Sequence, residues 1–230
     1  MDKAKVIARM KTIWQNAKIV CFIFFIILGI VFVGVVLGSL WQFNYDKKQM
    51  QNYTYEVMRH EALLNYQECK SKLVKEVSAY IDSIAPTSSL TGYAVVENCE
   101  KYDLDIKFLL AQGQIESKFG TCGMATKTNS VFNVGAFDKS SYDQINGKYK
   151  YEHPDFSIEP YIQLLYKDYI TATKTELDLM IKYVNKNGQR YASNPDYETH
   201  IFNLYEKIDA NTNISELQGE LRRYKIVLGD

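Results

Sequence analysis

The chain is poor in the groups that hold metals and in the loops that hold phosphates. Its 230 residues include 3 histidines and 4 cysteines, with no H-E-x-x-H and no C-x-x-C, so the paired ligands of a zinc site are missing. Neither G-x-G-x-x-G nor G-x-x-x-x-G-K-S/T occurs, which removes the usual backbone cradles for nucleotide phosphates. No G-x-S-x-G presents a serine nucleophile. No cofactor and no metal are expected. An excess of charge of one sign is missing too, since 27 Lys plus Arg stand against 27 Asp plus Glu. That balance is uneven along the chain: residues 1–50 hold seven basic and two acidic side chains, or +5, which leaves −5 for residues 51–230. A mildly acidic folded part argues against nucleic acid as a partner.

What is present at the start is a long apolar run. Residues 19–40 read IVCFIFFIILGIVFVGVVLGSL, 22 positions without a charge, about 33 Å of helix and enough to cross a hydrocarbon core. The run is longer than the apolar part of a signal peptide, and no A-x-A site follows it, so an uncleaved anchor is expected. Trp14 and Trp41 stand near its two ends, where amphipathic rings favour the headgroup layer. Five positive charges precede the span, which predicts a cytoplasmic N-terminus (residues 1–18) and an extracytoplasmic remainder, on the periplasmic or cell-wall side. Gly34 and Gly38 form a G-x-x-x-G that suits close helix contact and self-association.

Residues 41–87 are polar, with apolar positions at Leu63, Tyr66, Leu73, Val77, Tyr80 and Ile84. The spacing predicts a helix, either a membrane-proximal stalk or a first amphipathic helix packing on the domain. Ala85 to Ser89 break it, and the main domain, 88–230, is expected to begin there. Helical patterns follow at about 90–102, 104–119, 158–171, 174–187, 195–209 and 214–225. Thr173 and Glu176 fit a capping box, and Asn187-Gly188 suits a left-handed helix end. The stretch 130–152 differs: β-branched and aromatic residues surround Asn146-Gly147, a hairpin signal. The reading is a mainly α domain with a small β-hairpin insertion. Cys21 lies in the span, leaving Cys69, Cys99 and Cys122 outside; Cys99 pairing with Cys122 and three unpaired buried thiols both fit.

One carboxylate stands out. In a helix over 104–119, Leu104, Phe108, Ala111, Ile115 and Phe119 form an apolar stripe that Glu116 borders. Gly113 and Gly120 are its neighbours on the same face, and a glycine inside a helix costs about 1 kcal/mol relative to alanine. Gly113 therefore signals either a close approach of another backbone or space beside the carboxylate for a ligand. A helix-borne carboxyl beside an apolar stripe fits a general acid for a glycosidic oxygen. Spacing alone favours the plainer reading, a solvated helix glutamate, since glutamates are mostly exposed.

The run Ala111-Gln112-Gly113-Gln114-Ile115-Glu116-Ser117-Lys118-Phe119-Gly120 resembles the A-Q-x-x-x-E-S-x-W/F-G signature of the glucosaminidase family of peptidoglycan hydrolases. Asn129 to Val134 is similar to the family's N-N-L-F-G-I turn, with Ser130 in place of its second Asn and Asn133 in place of its Gly. Asparagine is the next best residue at positive φ. Asp143-Gln144-Ile145-Asn146-Gly147 stands where the family has E-Y-x-N-G. Tyr151 to Ile158 resembles Y-x-S-P-x-x-S-I, and Gly188 to Tyr197 resembles G-x-x-Y-A-S/T-x-P-x-Y. The resemblance covers about 90–209 and implies a lysozyme-like fold with Glu116 as catalytic acid. Asp143, one methylene shorter than the family's Glu, aligns with the second carboxylate, and Glu152 at the other end of the hairpin is the alternative. Tyr191, Asn129 and the Phe132 to Asn133 turn are implied to contact sugars. The implied activity is cleavage of β-1,4 links in peptidoglycan glycan strands, of the N-acetylglucosaminidase type. Two other readings stand beside it: a lytic transglycosylase, and an inactive lysozyme-like binding or assembly protein of a secretion system or phage particle.

Overall fold

The computed structural model describes residues 3–134, 143–145 and 148–229. The first helix, α1, runs Lys3–Ile84, and the chain divides into two compact units, Met1–His60 and Glu61–Asp230. In the first unit the apolar side chains of residues 19–40 are all exposed. By length and composition, this part of α1 is suited to cross a membrane.

The second unit holds the remainder of α1, followed by α2 (Gly92–Tyr102), α3 (Ile106–Ser117), α4 (Ala125–Thr128), the strands β1 (Asp143–Ile145) and β2 (Lys148–Lys150), α5 (Ile158–Asp168), α6 (Glu176–Ile181), α7 (Tyr197–Asn211) and α8 (Ile214–Leu228). It is a helical domain. From residue 61 on, α1 packs into its core through Ala62, Cys69, Leu73, Val77 and Ile81. Of the two readings of this segment, packing on the domain holds for 61–84, and the buried face is turned from the expected one: Leu63 is exposed, while Tyr66, Tyr80 and Ile84 lie at the edge. Where α2 crosses α1, a Cβ on Gly92 would stand 2.7 Å from both Ser78 N and Val74 O. Only glycine lets the two backbones meet so closely.

The helix α3 is the centre of the unit. Asp105 caps it by accepting from Lys107 N at 2.8 Å, and every residue from Ile106 to Gly113 is buried. It is shorter than the expected 104–119 because Lys118, Phe119 and Gly120 take φ of 47°, 55° and 87°. Phe119 N then bonds back to Gly113 O at 3.1 Å, a left-handed helix stop. The helix α6 also ends early. Its capping box is Thr175 with Asp178, not Thr173 with Glu176, since Thr173 lies in the tight turn closed by the Thr171 to Lys174 bridge. Gly188 is left-handed, φ 80°, but in the turn between bridged Val184 and Arg190 rather than at a helix end. Strands β1 and β2 pair antiparallel, Asp143 opposite Lys150; Asn146-Gly147 between them lies outside the described residues. All four cysteines are free thiols, so of the two readings the unpaired one holds, with Cys69 and Cys99 buried and Cys122, against that reading, exposed beyond α3.

Candidate active site

Glu116 occupies the last turn of α3, half-buried, and its backbone is held before its side chain acts. Its carbonyl accepts from Asn133 Nδ2 at 2.6 Å. The next residue, Ser117, is buried, donates to Val131 O at 2.6 Å and accepts from Gly120 N at 2.8 Å. Asn133 sits at φ 49°, in the left-handed region that asparagine tolerates. The turn from Asn129 to Asn133 thus clamps the end of α3.

Gly113 has its reason, and neither alternative drawn from the sequence describes it. A Cβ there would meet Phe119 Cδ1 at 3.2 Å and Val131 Cγ1 at 3.3 Å, so the chain's own side chains fill the place beside the helix. Phe119 is buried there, edge-on to Tyr80, with its carbonyl bound by Ser88 Oγ at 2.6 Å.

The carboxylate meets a group of tyrosines. The Tyr197 hydroxyl donates to Glu116 Oε1 and accepts from Gln112 Nε2 at 2.6 Å. The ring of Tyr197 stacks on Tyr191 (5.6 Å between centroids), and Tyr191 stacks on Tyr183 at 4.4 Å. The hydroxyls of Tyr183 and Tyr161 lie 3.1 Å apart. The segment between α6 and α7 is tied down by Glu198, which accepts from Tyr183 N at 3.1 Å and pairs with Arg190 at 2.5 Å. Burial pushes the Tyr197 phenol far above its usual range, and the neighbouring Tyr191 and the Glu116 charge add to this. Tyr161, Tyr183 and Tyr191 shift the same way, burial being the main cause in each. Beside Glu116 stand neutral hydroxyls that donate without titrating near neutral pH.

The other residues singled out in the sequence fall at different depths. Phe132 is 1 % exposed and stacks on Tyr161 at 4.1 Å, so it lies beneath the site and has no free face for a sugar. Asn129 is half-buried and donates to Tyr151 O and Glu152 O at 2.9 and 3.2 Å, joining the turn to the exit of β2. Tyr191 is half-buried beside the carboxylate's phenol partner. Asp143 is the first residue of β1; its side chain lies outside the described residues. Glu152 is exposed just beyond β2. Gln112 and Tyr197 were given no role by the sequence reading, although they are the second residue of its first motif and the last residue of its final one. Tyr161 and Tyr183 carried no sequence signal among 18 tyrosines.

The model of the glucosaminidase family, described as mannosyl-glycoprotein endo-beta-N-acetylglucosaminidase, matches residues 92–210. The chain belongs to the glucosaminidase family. The matched span runs from the first residue of α2 almost to the end of α7 and holds Glu116, the turn that clamps it and the tyrosine group, while Tyr80 and Ser88, which back Phe119, precede it. A glucosaminidase domain supports a peptidoglycan hydrolase. No curated protein matches the chain.

Proposed function

We propose that this glucosaminidase-family chain is a membrane-anchored glycoside hydrolase that cuts β-1,4 bonds of peptidoglycan glycan strands, of the N-acetylglucosaminidase type, with Glu116 as general acid. The observation that carries the reading is the setting of Glu116. Its carboxyl ends a helix buried along most of its length, its backbone is clamped by Asn133, and its Oε1 is held by a neutral phenol. Such a group is positioned to give a proton to a leaving glycosidic oxygen. Asp143 serves as the second carboxylate, orienting water or stabilising the oxocarbenium-like transition state, with Glu152 as the alternative. Tyr191, Asn129 and Asn133 line the sugar site, and Phe132 supports it from below.

Residues 19–40 anchor the chain, the basic residues 1–18 stay in the cytoplasm, and the domain faces the wall. Residues 41–60 serve as the stalk, and Gly34 and Gly38, with nothing packed on them among the described residues, form a face for self-association in the bilayer. Product analysis of purified glycan strands treated with the full chain tests the chemistry. The expected products carry new reducing N-acetylglucosamine ends. Anhydro sugar ends would show a transglycosylase instead, and strands bound but uncut would show an inactive binding protein.

A further inference from the structure

Beyond the hairpin the surface carries aromatic rings with open faces. Phe156 is 56 % exposed and Tyr93 61 %, and the side chain of His153 keeps 42 % of its surface. Apolar residues exposed singly are ordinary, but these three stand around one joint. Asp155 Oδ1 accepts from Thr91 N at 2.8 Å, and its Oδ2 accepts from Thr91 Oγ1 at 2.9 Å. Tyr93 lies two residues past that joint in α2, and Phe156 one residue past it in the short 3-10 turn Pro154–Ser157.

The turn is built to hold still. His153 caps it, Nδ1 accepting from Asp155 N at 3.4 Å, and Phe156 N donates to His153 O at 3.1 Å. Pro154 and Ser157, which bound it, are buried, and the His153 ring meets Phe156 edge-on at 6.3 Å between centroids. An apolar ring fixed in water costs the fold, and it favours a ligand that need not order it on binding.

The turn is also tied to the candidate active site through a single residue. Ser157 Oγ accepts from Val131 N at 3.2 Å, and Val131 O accepts from Ser117 Oγ at 2.6 Å, next to Glu116. With standard backbone dimensions, these bonds hold the Cα atoms of Phe156 and Glu116 within about 22 Å of each other. Asn129 bonds Glu152 O at 3.2 Å, four residues before Phe156. A few sugars of a glycan strand cover such a distance. The rings suit them, because the negative face of an aromatic ring attracts the apolar C–H face of a pyranose, while Thr91, Asp155 and Glu152 offer polar partners to hydroxyls. The carboxylates of Asp155 and Glu152 oppose the other polymers and surfaces that take aromatic side chains, nucleic acid and anionic lipid.

We propose that Phe156, with Tyr93 beside the same joint, forms an aromatic shelf on which an outer sugar of the glycan strand stacks, away from the bond that Glu116 cuts. The inference rests on the reading of the chain as a glycan-strand hydrolase. The shelf adds affinity for long strands and takes no part in proton transfer.

Calorimetric titration of the full chain in detergent, carrying Glu116→Gln so that strands stay intact, tests the shelf with two ligands: long soluble glycan strands and a disaccharide of the same sugars. Adding Phe156→Ala should weaken binding of the long strands about fivefold and leave the disaccharide unchanged. Phe156→Trp, which keeps a ring, should bind long strands as tightly as Phe156 does. Unchanged long-strand affinity in Phe156→Ala, an equal loss for both ligands, or a Phe156→Trp as weak as Phe156→Ala would each overturn the shelf. The parent reading fails separately. If Glu116→Gln still releases reducing ends, the role of Glu116 falls and the same comparison is read as KM; if Glu116→Gln binds no strands at all, both readings fall. An uncutting Glu116→Gln whose long-strand affinity ignores Phe156→Ala sinks only the shelf.

Discussion

Asn133 holds a left-handed backbone at φ 49° and gives its side-chain amide to the carbonyl of Glu116. Its tolerance of that backbone was legible in the sequence, where it replaces a glycine of the family turn. The bond was not, because it joins residues 17 apart through a turn whose geometry no spacing rule specifies. Asn133→Gly should therefore keep the turn and lose the clamp. Its unfolding free energy should change by less than about 1 kcal/mol, while release of reducing ends slows about tenfold as Glu116 drifts from its place. Urea unfolding and a reducing-sugar assay on the same preparation read the two effects. Gly113 carries a related lesson: the glycine beside the acid was legible as unusual, but the side chains of Phe119 and Val131 that close on it come from beyond the helix.

Most helices were visible in the apolar spacing, and their ends were not. The helix α3 stops at Ser117 because two non-glycine residues turn left-handed, and α6 stops at Ile181 so that Tyr183 can be buried. Neither event leaves a mark in periodicity. The crossing of α1 and α2 is similar. Gly92→Ala would place a methyl against backbone of α1 and should cost about 1–3 kcal/mol in urea unfolding through forced separation of the helices. A second joint between elements is electrostatic. Glu100 of α2 pairs with Lys70 of α1 at 2.8 Å and Lys225 of α8 at 3.4 Å, and accepts from Tyr66. Burial would raise its pKa, but these partners outweigh burial and hold it below its ordinary 4.5. Asp209 is lowered too, through hydrogen bonds from Lys107 and Ser215. A lowered folded pKa stabilises the fold above the ordinary value and loses that contribution as pH falls through the folded one. The urea midpoint should stay level from pH 7 down to about 5 and fall below about pH 4.5. Glu100→Gln should be about 2 kcal/mol less stable at pH 7 and should flatten the acid fall. An acid fall as steep as in the wild type would show that Glu100 is not part of it.

At the scale of the whole chain, the neutral total charge conceals +4 on residues 1–18, before the apolar run, and −4 on residues 41–230, after it, and the proposal assigns them to opposite sides of a membrane. The cysteines test this directly, since Cys122 is exposed while Cys69 and Cys99 are buried and Cys21 lies in the apolar run. A membrane-impermeant maleimide, given access to the periplasmic or wall side of intact cells, should label the wild type and not Cys122→Ser. Labelling only after lysis would put the domain in the cytoplasm. The family and the acid were legible because they sit in one contiguous motif. The tyrosine group was not, because Tyr161, Tyr183, Tyr191 and Tyr197 come from α5, the segment between α6 and α7, and α7, and meet only when α3 is buried among them. The central claim is that the proton on Glu116 cuts the glycan strand. Glu116→Gln keeps the side-chain shape and removes that proton, so cell-wall clearing in a gel overlay, compared with wild type at equal folded protein, tests it most directly. The account predicts that clearing is lost while thermal unfolding stays close to wild type. Clearing equal to wild type would contradict it.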